Sequence, residues 1–184
     1  MEEVLAVRSL QNTNMSRQTI YNLIKKNNME RVGPGIYIRQ EDLEDPAYVL
    51  SLRCPKGVIS HDDALYYYGL VDREPFVHCL TIYSGYNPST LTNSGYKVYT
   101  IKKELLNLGK TTVVNQFGHE LPMYDLERTM CDLIRSRSNF EIQDFNTAIK
   151  SYVQRSDKDL NRLMVYAKSF RIEKVIRQYM EVLL

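Results

Sequence analysis

A chain of 184 residues with 43% hydrophobic content is long enough to bury a real core, either as one moderate domain or as a small module beside a larger one. Its formal net charge of +2 excludes a protein that grips a polyanion with its whole surface, so any such affinity must come from a local patch. There is no apolar run of about eighteen residues, and Met1-Glu2-Glu3 opens into an amphipathic segment without a basic n-region or cleavage site, which sets the expectation of a cytoplasmic chain with no membrane partner.

Residues 2–11 place Val4, Leu5, Val7 and Leu10 at helical spacing, predicting a short helix before an Asn12-Thr13-Asn14 turn. Ser16 stands where an N-cap belongs, and Ile20, Leu23 and Ile24 then recur on one face of a second helix that ends at Asn27-Asn28. The other face carries Arg17, Gln18, Thr19, Tyr21, Asn22, Lys25 and Lys26: amides suited to base edges and cations suited to phosphates. Two short apolar strands follow around Gly33-Pro34-Gly35, with Arg31 on the first and Arg39 at the end of the second. Between Arg8 and Arg39 the cations are Arg8, Arg17, Lys25, Lys26, Arg31 and Arg39, and Glu30 is the one anion. Helix, turn, helix and wing with a field of one sign is the order of a winged helix-turn-helix that binds DNA.

The acidic stretch 41–46 and its proline mark a boundary, dividing the chain into a DNA-binding domain at 1–45 and a second domain at 46–184. The second domain opens on an apolar helix over 47–52. A helix then runs from Ser60, read as its N-cap with Asp62 and Asp63 in the first turn, to Gly69. Alternating patterns predict strands over 76–83, 96–101, 111–116 and 120–123, with Phe117-Gly118-His119 as a hairpin turn, hence a mixed or antiparallel sheet. His78 and His119 have no serine or cysteine in a nucleophile motif near them and read as strand and turn residues. A helix over 125–135, N-capped by Asp125, precedes three amphipathic helices over 140–152, 157–167 (capped by Asp157) and 171–184, so the fold class is α+β and the chain closes as a helical bundle. Cys54, Cys79 and Cys131 are odd in number and lack a Cys-x-x-Cys pair, which fits reduced thiols and no metal site. No glycine-rich phosphate loop, carboxylate cluster or nucleophile elbow points to an enzyme or a cofactor.

Four segments in one order carry a resemblance: SRQTIYNLIKKNNMERVGPGIYI (16–38), GVISHDDALYYYGL (57–70), YDLERTMCDLIR (124–135) and RIEKVIRQYMEVLL (171–184). Together they resemble the AbiEi family of antitoxins, the abortive-infection class of type IV toxin–antitoxin systems. The resemblance implies a winged-helix domain that binds inverted repeats in its own promoter and represses it. It also implies a C-terminal domain that counteracts a nucleotidyltransferase-like toxin without requiring a stable complex. Lys158, Arg162, Lys168 and Arg171, cations gathered on the late helices, are the expected protective surface, although solvation of a helix face accounts for them equally well. A ligand-sensing transcriptional regulator with no toxin is the alternative.

Overall fold

A computed structural model describes residues 4–7 and 15–183 as an α+β protein divided into two compact units, Met1–Pro55 and Lys56–Leu184. No helix among the described residues is long and apolar enough to cross a membrane.

The first unit is built on a three-stranded antiparallel sheet in the order β1-β3-β2, comprising β1 (Val4–Ala6), β2 (Met29–Gly33) and β3 (Ile36–Arg39). The segment expected to open a helix at residue 2 is therefore a strand at Val4–Ala6. Three residues cannot express a helical period, and Leu5 turns inward opposite Tyr37 on β3. The rest of that expected helix and the Asn12-Thr13-Asn14 turn lie outside the described residues. Helix α1 (Arg17–Lys26) connects to the hairpin and buries Ile20. Ile36 and Ile38 alternate inward on β3, the central strand. Helix α2 (Pro46–Arg53) is N-capped by Asp45 and belongs to this first unit, so the division falls after it and not at the acidic stretch. The reason is packing: a Cβ on Gly33 would meet Val49 at 3.7 Å and Arg53 at 3.5 Å, so α2 lies against the hairpin.

The second unit is a five-stranded mixed sheet with helices around it. Strands β4 (Val58–Ile59), β5 (Cys79–Tyr83), β6 (Lys97–Ile101), β7 (Lys110–Val114) and β8 (Glu120–Tyr124) lie in the order β6-β5-β4-β8-β7. Pairs β4/β5 and β7/β8 are antiparallel, whereas β4/β8 and β5/β6 are parallel. The two-residue β4 occupies the centre because Val58 and Ile59 are buried on both faces, as a central strand requires. Helices α3 (Asp62–Tyr67) and α4 (Ser89–Thr92) follow β4 and join β5 to β6, respectively. Helix α5 (Leu126–Arg135) is buried from Leu126 to Ile134. Around it, α6 (Ile142–Gln154), α7 (Leu160–Phe170) and α8 (Glu173–Leu183) bring Phe145, Ile149, Leu163, Ala167 and Ile176 onto Met130, Cys131 and Leu133. The three cysteines carry free thiols in the interior.

Candidate nucleic-acid interface

Helix α1 begins where Ser16 accepts the Thr19 backbone N–H at 3.1 Å, which fixes its first turn. It ends at Asn27, whose side-chain amide donates to the Leu23 carbonyl at 2.9 Å, and Asn28 then takes φ 47° to turn the chain into β2. Between these caps, Arg17, Gln18, Thr19, Tyr21, Asn22, Lys25 and Lys26 are all exposed, and Tyr21 remains 62% accessible. Arg17, Lys25 and Lys26 have no ion-pair partner among the described residues, so their charge faces solvent. Gln18 donates its amide to the Asn22 side-chain oxygen at 3.3 Å, one helical turn on, which aligns two amide groups along one stripe.

The hairpin turns at Pro34-Gly35, where Gly35 has φ 73° and accepts the Val7 N–H at 2.8 Å, so β1 tethers the tip. Strand β2 is an edge and is irregular between Arg31 and Gly33. There the exposed Arg31 folds its Nε back onto the Gly33 carbonyl at 3.1 Å, leaving the rest of its guanidinium toward solvent. Arg39 differs from the other expected contacts. Its guanidinium lies 3.7 Å from both Glu41 and Asp42, acids just beyond the cationic 8–39 segment, and the field at that end of the hairpin is weaker than the segment's own charges imply.

The second unit distributes its polar groups the other way. Ser60 does not cap α3. Its hydroxyl shares hydrogen bonds with Thr81 (2.8 Å) and the Nδ1 of His61 (2.9 Å), and the Nε2 of His61 reaches Ser136 at 3.2 Å. His61 takes the N-cap position at φ 52° and ψ −119°, a backbone geometry in which glycine is the ordinary occupant and which costs about 1–3 kcal/mol. Its ring stacks on Tyr99 with centroids 3.4 Å apart. Burial, with Arg128, Lys97 and Arg135 nearby, holds the imidazole well below its usual pKa and hence neutral. Asp63 is buried as well. It accepts from the Cys79 N–H and pairs with His78 at 2.6 Å, which locks β5 to α3. Sequence reading misses this network because Ser-His-Asp-Asp ahead of an apolar run has the composition of a cap. Its one usable signal is its place immediately after a strand apolar on both faces.

Asp125 does cap α5, accepting the Arg128 N–H at 2.8 Å. Arg128 is wholly buried, donates to Asp132 (2.9 Å) and to the Leu105 and Leu108 carbonyls, and lies over the rings of Tyr124 and Phe170. Glu127 accepts the Asp159 N–H at 2.9 Å, fixing the start of α7. The cap of α7 is Asp159, not Asp157, which instead forms a two-pronged pair with Arg155. The four late cations do not make one patch. Lys158 donates to the Arg155 carbonyl at 2.8 Å and Arg162 lies beside Glu127 and Asp159, both at the start of α7. Lys168 and Arg171 are exposed at its other end, where Arg171 takes φ 60°; a helix of this length spans about 16 Å.

No known protein family matches the chain, and no curated protein matches it. Among solved structures it is similar to the crystal structure of the RV2827C protein from Mycobacterium tuberculosis, with a TM-score of 0.61 and 14% identity over 91% of this chain and 67% of that one. At that identity the likeness is one of fold.

Proposed function

We propose that the chain is a cytoplasmic antitoxin-repressor of the AbiEi kind, with a first unit that acts as a winged helix on duplex DNA and a second that counteracts a nucleotidyltransferase-like toxin. The observation that carries the DNA-binding half is the outer face of α1: three cations with no ion-pair partner among the described residues, two aligned amides and an exposed tyrosine, with no acidic side chain on the helix. Such a face gains little by folding alone and gains much from a polyanion. The hairpin after it, with Arg31 on its open edge, supplies a second set of phosphate contacts in the position of a wing. The antitoxin half rests on the four-segment resemblance.

Titration of the full chain against a duplex of its own promoter, with a shuffled duplex as control, tests the first half. Promoter binding should exceed shuffled binding and fall with salt. Replacing Lys25, Lys26 and Arg31 with alanine should weaken both and flatten the salt slope by about one for each phosphate no longer neutralised. Unchanged affinity and slope in the triple variant would remove α1 and the hairpin from the interface. Co-expression with the product of an adjoining toxin gene tests the second half, and a locus without such a gene would leave the ligand-sensing regulator.

A further inference from the structure

The second unit holds a cleft of about 280 Å³ whose walls come from Asp62, the loop from Val71 to Val77, Lys97, and the start of α6 at Phe140, Glu141 and Asp144. Two features set it apart from the rest of that unit. The first is charge. Asp62 is answered by Lys97 at 3.3 Å and Arg73 lies over one side of the Phe76 ring at 4.5 Å, but Glu74, Glu141 and Asp144 have no ion-pair partner among the described residues; with four carboxylates against these two cations, the lining is net anionic in a chain whose net charge is positive. The second is apolar exposure. Phe76 is 84% accessible and Val77 47%, side by side on the cleft's loop, while Phe140, Leu65, Val71 and Pro75 line its interior. An exposed phenylalanine is ordinary; one beside an exposed valine on the rim of an apolar-walled anionic cleft is an incomplete interface.

We infer that this cleft receives a basic segment of a partner protein, in which a lysine or arginine enters between Glu74, Glu141 and Asp144 and a neighbouring apolar side chain covers Phe76 and Val77. Charge complementarity selects the cation. The size selects a macromolecule: the cleft itself is at the small end of ligand sites, about 300–1,000 Å³, and the apolar rim beyond it would stay wet around a small amine. The cleft also has a rigid floor, because Asp62 starts α3 directly after the His61 network that ties β4, β5 and Ser136, the C-cap of α5, together. The floor beside Asp62 is therefore fixed before the partner arrives, and the ordering that remains falls on the exposed Glu74, Glu141 and Asp144. This site is independent of the DNA-binding reading and does not use the late cations.

The full chain, titrated with a dye-labelled peptide of alternating arginine and leucine, tests it, with an alternating glutamate and leucine peptide and free butylamine as comparisons. The basic peptide should bind, weaken as salt rises, and shift the backbone resonances of Asp62, Phe76, Val77, Glu141 and Asp144. Glu74→Lys with Asp144→Lys should lower its affinity at least tenfold, and Phe76→Ser about threefold or more, with circular dichroism unchanged. These three residues are exposed or at the cleft mouth, so the fold survives their replacement. Equal binding of the acidic peptide, unchanged affinity in the charge-reversed chain, or butylamine producing the same shifts at the same concentration would each overturn the inference. Shifts confined to other residues would overturn it too. Loss of promoter binding in the α1 triple variant would leave all of these outcomes where they are.

Discussion

The two units spend their polar residues in opposite ways. In the first, Arg17, Gln18, Asn22, Lys25 and Lys26 stand outward on a helix held by its caps and by Ile20, and among the described residues their side chains make no hydrogen bond outside that helix. In the second, Arg128, Asp132, Glu127, Asp63 and His61 are inside; Arg128, Glu127, Asp63 and His61 each bond to another segment, and Asp132 holds Arg128 from within the same helix. A polar group at the surface is nearly neutral for stability and available for binding, whereas a buried one specifies geometry and leaves an uncompensated charge or dipole if its partner is removed. The contrast teaches where function and architecture reside: changes in the first unit should alter binding without unfolding it, and changes at the buried groups of the second should unfold it.

The largest break in that contrast should come from Arg128. Alanine there removes the donors to Leu105 and Leu108 and leaves buried Asp132 with Arg135 alone, so the second unit should lose about 3–5 kcal/mol in urea unfolding. Alanine at Lys25 should stay within about 0.5 kcal/mol of the parent. Equal effects from the two would erase the distinction between the units.

Gly109 sharpens the same point with a smaller effect. It sits at φ 74°, accepts the Asp125 N–H at 2.7 Å, and a Cβ there would lie 2.6 Å from the Cβ of Arg128, a backbone-anchored atom that cannot swing away. Gly109→Ala should cost about 2–3 kcal/mol, more than the roughly 1–2 kcal/mol of an ordinary left-handed alanine. Gly118, also at positive φ but with open space around it, should cost less, and the difference between the two measures the clash alone.

How much of this is legible in the sequence follows from how local each signal is. The start and end of α1 are readable because Ser16 and Asn27 act on backbone groups within one turn of themselves. The β7/β8 hairpin is readable from the residues around Gly118 for the same reason. Val4–Ala6 misleads because its strand partner lies thirty or more positions along, at Ile36 to Ile38. The expected cap at Asp157 is wrong by two residues: Arg155 holds that carboxylate, and Asp159 caps the helix instead. The outward face of the candidate interface is visible as residue types. The inward network is not, since nothing in Ser-His-Asp-Asp says that Thr81, Cys79, His78 and Ser136 will close around it.

Within the first unit, the amides and the cations should separate by what they recognise. Alanine at Gln18 or Asn22 should narrow the gap between promoter and random duplex by about 1–3 kcal/mol while leaving the salt slope alone, because an amide contributes through base edges and releases no counterion. Their mutual hydrogen bond adds a requirement: each variant should lose nearly as much as the double variant, since the survivor is no longer aligned. Equal losses on both duplexes would make Gln18 and Asn22 positioning contacts only.

The smallest effect, and the one that isolates a single buried group, is the pH dependence of the second unit. His61 is neutral in the fold because burial and the nearby cations oppose its protonation, whereas in the unfolded chain it takes up a proton near its ordinary pKa of about 6.5. The unfolded state therefore binds the extra proton, and the stability that neutral His61 supports is fully present above about pH 6.5 and lost as pH falls below it, by about 1.4 kcal/mol per unit until the folded imidazole also titrates. Urea unfolding followed on the methyl resonances of Ile59 and Ile82, both in the second unit's central strands, measures this between pH 7.5 and pH 5. Asn suits the test because it tolerates positive φ, keeps a donor and an acceptor, and does not titrate. His61→Asn should lower stability at pH 7.5 through its poorer bonds to Ser60 and Ser136, yet fall less steeply toward pH 5 than the parent, so the two curves converge. Parallel curves would mean that the imidazole takes up a proton as readily in the fold as in the unfolded chain, and the account of His61 as a buried group held neutral would have to be abandoned.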